Sequence, residues 1–139
     1  MNDKKHTDGS QLKRFAVKYI RDKAKSGYNK DDHCHICDTE EGQLDFHHFT
    51  GLADLWALYC RKNKIKSETV EEVMEHRDYF IAQYHDELYF QVVTLCKPHH
   101  QELHSFFGKA PAIGSAKAQA KWIEMKRKKW LEKASSKVE

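Results

Sequence analysis

Apolar residues recur along the chain with two different periods, and each period predicts an element. Leu12, Phe15, Ala16, Tyr19 and Ile20 fall at i, i+3, i+4, i+7 and i+8, one stripe of an amphipathic helix over about 10–26. Ser10 suits its N-cap and Gly27 its stop. A polar loop with Cys34 and Cys37 follows, and then residues 43–49 alternate. Leu44, Phe46 and His48 take one face and Asp45, His47 and Phe49 the other, which reads as a short strand. From Gly51 the helical period returns with Leu52, Leu55, Trp56 and Tyr59. Thr69 and Glu72 form a capping box for a further helix with the stripe Val70, Val73, Met74, Ile81 and Tyr84. Residues 89–95 (YFQVVTL) read as a second strand, and Pro98 suits the first turn of a helix to about Phe107. Gly108 and Pro111 break the chain. Ser115 then caps a last helix, to about residue 133, bearing Trp122, Ile123, Met125, Trp130 and Leu131. No segment repeats, and the class expected is α+β.

With 139 residues, 40% hydrophobic and 32% charged, the chain is expected to fold as one globular domain over 1–139. No apolar run approaches the ~18–20 residues of a membrane span, and MNDKKHTDGS lacks the apolar core of a secretion signal. The expectation is a soluble, cytoplasmic protein with no membrane partner.

Charge changes the picture only when divided along the chain. Residues 1–30 carry nine Lys/Arg against three Asp/Glu, residues 31–108 six against fifteen, and residues 109–133 eight against two. Two arms of +6 flank a middle of −9. Basic arms attract phosphate backbones without reading sequence. The candidates are Lys13, Arg14 and Lys18 in the first helix, and Lys121, Lys126, Arg127 and Lys128 in the last. Trp122 and Trp130 read as core anchors between them.

Candidate chemistry lies in cysteine and histidine. Cys34-x2-Cys37 and Cys96-x2-His99 are two half-sites whose union is a Cys3His set, a closed tetrahedral arrangement for structural zinc. Cys60, on an apolar helical stretch, reads as a buried small residue. Of ten histidines, His47 and His48 share a strand, and His100 and His104 are four apart on one helix face, able to chelate a single ion. His6, His33, His35, His76 and His85 read as ordinary surface residues.

The order CHIC, LDFHHF, VVTLCKPHHQELH resembles the zinc-knuckle branch of the HNH (His-Me finger, ββα-metal) endonucleases, over residues 34–49 and 91–104. The resemblance implies a two-strand and helix core with a helical insertion at about 51–87 inside a zinc/HNH core of 31–108. It implies His47, His100 and His104 as ligands of a catalytic divalent ion (Mn2+, Ni2+, Co2+ or Mg2+) and His48 as general base. The family's orienting Asn or His aligns with Gln91, a departure from the pattern. Small free-standing proteins of this kind are frequent in bacteriophages, so a phage source and action in the host cytoplasm are implied.

The activity expected is hydrolysis of DNA phosphodiester bonds, with the imidazole of His48 accepting water's proton and the ion acting as Lewis acid. Asp45 is a possible orienter of the metal site, or a plain exposed strand residue. The acidic helix with Glu71, Glu72, Glu75 and Asp78 should face away from DNA or meet a protein partner. One active site per chain implies nicking by a monomer, unless a homodimer cuts both strands. A catalytically silent zinc module, binding DNA or protein on the same fold, would keep the Cys3His set without needing His48, His100 and His104 together. A protein-binding zinc adaptor would use the acidic insertion and leave both basic arms unexplained.

Overall fold

The structure, a computed structural model, describes residues 9–138, with side chains from 17 to 136. His6 and the side chains of Ser10, Leu12, Lys13, Arg14, Phe15 and Ala16 lie outside the described residues. The elements run α1 (Gly9–Lys25), β1 (Leu44–His48), α2 (Leu52–Asn63), α3 (Val70–Gln83), α4 (His85–Tyr89), β2 (Val92–Cys96), α5 (Lys97–Phe107) and α6 (Ala116–Val138). The class is α+β. Its contacts divide into two units: residues up to Tyr28 with Leu52–Phe90, and Asn29–Gly51 with Gln91 onward.

The first unit is helical and apolar. Ile20 and Ala24 of α1, Leu52, Leu55, Trp56 and Tyr59 of α2, and Val73 and Phe80 of α3 form one buried cluster. Phe80 is its hub, with ring centroids 5.2 Å from Trp56, 5.6 Å from Tyr59 and 5.3 Å from Tyr84. The expected α3 stripe needs correcting here. Val70 and Met74 are exposed, and Phe80 is buried, because the face that α3 turns to the core carries Val73 and Phe80 and continues to Tyr84. The Thr69 cap forms as expected, its hydroxyl accepting from Glu72 N–H at 3.1 Å, while the Glu72 carboxylate accepts from Glu68 N–H. The strand expected over 89–95 is Val92–Cys96 in the structure, and Tyr89 instead ends the short helix α4. Tyr89 is spent there, donating its hydroxyl to Ala24 C=O at 2.9 Å. Gly27 permits that approach, since a Cβ would meet the Tyr89 ring at 2.9 Å.

The second unit is built on a two-stranded antiparallel sheet, with Leu44 opposite Cys96, Phe46 opposite Thr94 and His48 opposite Val92. Helix α5 follows β2 directly, with Pro98 in its first turn, and packs on both strands. Leu95, Leu103, Trp122 and Ile123 supply most of a core completed by Cys34, Ile36 and Cys96. Both tryptophans of α6 serve the protein interior as expected, Trp122 buried and Trp130 packed at the margin. Ser10 falls within α1, so it is not that helix's N-cap. Ser115 does stand immediately before α6, its C=O accepting from Gln119 N–H at 2.9 Å while its hydroxyl donates to Ala112 C=O at 2.6 Å.

Candidate metal centres

Among the described residues, two groups of donors converge closely enough to hold an ion: Cys34, Cys37, Cys96 and His99, and His47, His100 and His104. Both lie in the second unit.

The Cys3His group forms because two tight turns face each other. Cys34 C=O accepts from Asp38 N–H at 2.9 Å, and Asp38 takes a left-handed φ of 59°, closing the loop around Cys37. His35 N–H donates to Thr94 C=O at 2.9 Å and so ties this loop to β2. Cys96 ends β2, and His99 stands one turn into α5. The donors then lie Cys37 Sγ to Cys96 Sγ 3.8 Å, Cys34 Sγ to His99 Nδ1 3.8 Å and Cys96 Sγ to His99 Nδ1 3.3 Å. A tetrahedron with Zn–S bonds of ~2.3 Å has edges of about 3.8 Å, so the donor set fits such an ion. Burial works against ionisation of Cys34, but backbone N–H groups of Cys96, Cys37 and Ile36 outweigh it and draw the thiol down. Cys96 is pushed up to about 12, first by burial and then by the neighbouring Cys34. A divalent cation reverses that preference, because a coordinating thiol loses its proton outright.

The histidine group is more telling in its outer contacts. His47 Nε2 donates to Gln119 Oε1 at 2.7 Å, His100 Nδ1 to Asp45 Oδ2 at 3.0 Å and His104 Nδ1 to Gly108 C=O at 2.9 Å. Each ring's one N–H is thereby committed outward. The inner nitrogens, His47 Nδ1, His100 Nε2 and His104 Nε2, approach at 3.0 Å and 3.0 Å with lone pairs facing each other. Such an arrangement fits a cation at the centre, and outward donation to carbonyl or carboxylate is how metal-bound imidazoles are held. Burial pushes the His47 imidazole down to about 4, against the opposing pull of its Gln119 bond, which keeps it neutral near pH 7. His100 and His104 line a cleft of about 340 Å³ with Gln101, Ser105 and Lys109.

Gln119 and Lys109 were not among the expected site residues. Gln119 is fully buried and saturated, its amide N–H groups reaching Phe49 C=O at 2.7 Å and Ser115 Oγ at 2.9 Å. One signal was readable: stepping back three and four from Trp122 and Ile123 puts a polar Gln on the apolar face of α6. Asp45 proves to be the His100 partner, not a plain exposed residue.

His48 is not one of the three converging donors. Rings pair Phe46 with His48 at 5.2 Å and His47 with Phe49 at 5.7 Å, so His48 projects from the opposite face of β1. Gln91 precedes Val92, the cross-strand partner of His48, and its C=O accepts from Phe49 N–H at 3.1 Å. Of the basic candidates, Lys18, Lys121 and Lys128 are exposed. Lys126 pairs with Glu102 at 2.9 Å. Arg127 is turned inward, to Asp38 at 2.9 Å and Ile36 C=O at 3.1 Å, where it braces the Cys34–Cys37 loop. Among the described residues no helix is long and apolar enough to cross a membrane.

A family model described as the phage T5 nicking endonuclease family matches residues 6–138 of the chain. No solved structure matches.

Proposed function

The chain belongs to this nicking endonuclease family, a family of DNA-cleaving phage enzymes, and from that premise we propose that it nicks DNA by metal-assisted hydrolysis on an HNH-type ββα core. The observation that carries the reading is the histidine group: His100 Nε2 lies 3.0 Å from both His47 Nδ1 and His104 Nε2, with every outer ring nitrogen bonded to an acceptor. In this reading β1, β2 and α5 are the ββα core. Cys34, Cys37, Cys96 and His99 would hold a structural zinc, for which a Cys3His set supplies four donors. His47, His100 and His104 would hold a second ion.

That ion, when bound, supplies Lewis-acid stabilisation of charge on the phosphate and the departing 3′ oxygen. The side chains do the rest. His48, at the end of β1, accepts the proton of the attacking water through a neutral ring nitrogen. Gln91, just before β2 and bonded through its C=O to Phe49 N–H, is the residue available to orient it. Lys109, in the cleft by His100 and His104, offers an ammonium to a phosphate oxygen. Asp45, Gln119 and Gly108 C=O hold the three ligand rings in the tautomer that presents a lone pair. Lys18, Lys121 and Lys128 draw in the backbone, whereas Lys126 and Arg127 would first have to leave Glu102 and Asp38. One such site among the described residues supports one cut per chain, and with it nicking by a monomer.

The test is conversion of supercoiled plasmid to open circle by wild type and His48→Ala side by side, across divalent ions. Three imidazoles favour transition ions over magnesium, so manganese, nickel or cobalt should act at lower concentration. His48→Ala should keep both metals and lose roughly 10²–10⁴-fold in rate. Equal nicking by the variant would remove His48 as base. No nicking by wild type with any ion would leave the catalytically silent zinc module.

A further inference from the structure

The first unit contains a cavity of about 770 Å³ that the metal chemistry does not use. Val17, Trp56, Cys60 and Ile65 make its floor apolar, while Arg21 of α1, Arg61 of α2 and Lys66 beyond it bring three cations to it. No carboxylate lines it, and among the described residues none of the three cations is held in an ion pair.

The local chain path explains how they gather. Helix α2 ends with Asn63 donating its side-chain N–H to Tyr59 C=O at 2.9 Å, and Ile65 N–H reaches back to Cys60 C=O at 2.9 Å. Lys64 takes a left-handed φ of 55°, and Ser67, with φ 58°, accepts from Trp56 Nε1 at 3.3 Å. The loop is thus folded back on its own helix, which sets Lys66 at the same cavity as Arg61. Arg61 has a plain alternative role, since a cation in the last turn of a helix favours the dipole. Arg21, on a different helix, and Lys66, past the helix end, have no such role. Residues 61–66 (RKNKIK) hold four cations in six positions, hidden within a segment that is acidic as a whole.

We propose that this cavity is an anchor for the DNA backbone: phosphates meet Arg21, Arg61 and Lys66 while deoxyribose carbons lie on the apolar floor. A DNA strand alternates anionic phosphates with apolar sugars, the same pairing of chemistries that the cavity offers. The proposal rests on the family's DNA substrate and gives the helical insertion a gripping role on its α1–α2 side, beyond the two basic arms expected to hold DNA. The acidic residues of α3 do not contradict this, for none of them lines the cavity.

The experiment measures DNA affinity against salt for the zinc-loaded 139-residue chain. The triple variant Arg21→Gln, Arg61→Gln, Lys66→Gln should flatten the slope of log K on log salt by about 3, near one per lost phosphate contact, and weaken low-salt binding roughly ten-fold or more. Ala57→Glu places a carboxylate at the cavity from an exposed helix position and should weaken binding too. Gln83→Glu, adding the same charge on α3 away from the cavity, should change it far less. A folded triple variant with an unchanged slope overturns the anchor. If the triple variant does not fold, equal effects of Ala57→Glu and Gln83→Glu overturn it. Wild type that fails to bind DNA overturns the anchor and the DNA reading together, whereas intact wild-type binding with unaffected variants overturns the anchor alone.

Discussion

The two units reach order by opposite means. The first buries aromatic rings around Phe80, with Trp56 stacked on Tyr59 at 5.5 Å. The second has a smaller apolar core, and two of its seven buried members are cysteines aimed at one another. What the second unit adds is a pair of polar clusters, each with donors close enough to hold a cation. A core of hydrocarbon is indifferent to chelators and protons, and a core of thiols and imidazoles is sensitive to both.

Removing the structural ion should therefore separate the units most sharply. Structural zinc in small peptides is worth roughly 10–16 kcal/mol, as much as the ~5–15 kcal/mol stability of a whole domain. Cys37→Ser, or chelation, should abolish amide-exchange protection in β1, β2 and α5 while α2 and α3 keep theirs. Protection unchanged in the sheet would show that the Cys3His group is not a staple. The reciprocal change is Phe80→Ala, which should destabilise the first unit by about 3–5 kcal/mol and leave the zinc content of the protein as it was. Loss of zinc in that variant would mean the apolar core also holds the metal site.

Acid should discriminate more gently. In protein stripped of the second ion, His47 titrates near 4 when folded and near ~6.5 when unfolded. Between those values the unfolded chain binds the extra proton, so stability falls as pH drops, by about 3 kcal/mol across the window. Thermal melting against pH should show this slope, and His47→Gln should flatten it. The smallest effect sharpens the contrast within the second unit. Gln119→Leu keeps the volume of a buried side chain but removes the acceptor for His47 Nε2, and should weaken the second metal by roughly 10–100-fold. Metal titration should record that loss with the structural zinc unaffected. Equal affinity in the variant would reduce Gln119 to a packing residue.

Legibility followed the same division. Short-range signals held well: the Thr69 cap, Pro98 at the head of α5, and the facing half-sites Cys34-x2-Cys37 and Cys96-x2-His99. Misreadings fell where an element's neighbour decides its face. Val70 and Met74 fit the α3 period as well as Phe80 does, and only the packing against Trp56 and Tyr59 selects Phe80. Tyr89 and Phe90 have β propensity, yet the hydroxyl of Tyr89 is drawn to Ala24, 65 residues away.

By itself the sequence determined which atoms could meet a metal, because cysteine and histidine spacings of two and four residues are set by turn and helix geometry. It also determined that the ends of the chain are basic. Only the tertiary structure decided which of those groups are free to act. Arg127 is spent on Asp38, 89 positions away in the chain, and His47 is aimed by Gln119, 72 residues distant. Local periodicity ranks faces of a helix or strand, but a hydrogen bond across such a separation exists only once the backbone has brought its two ends together.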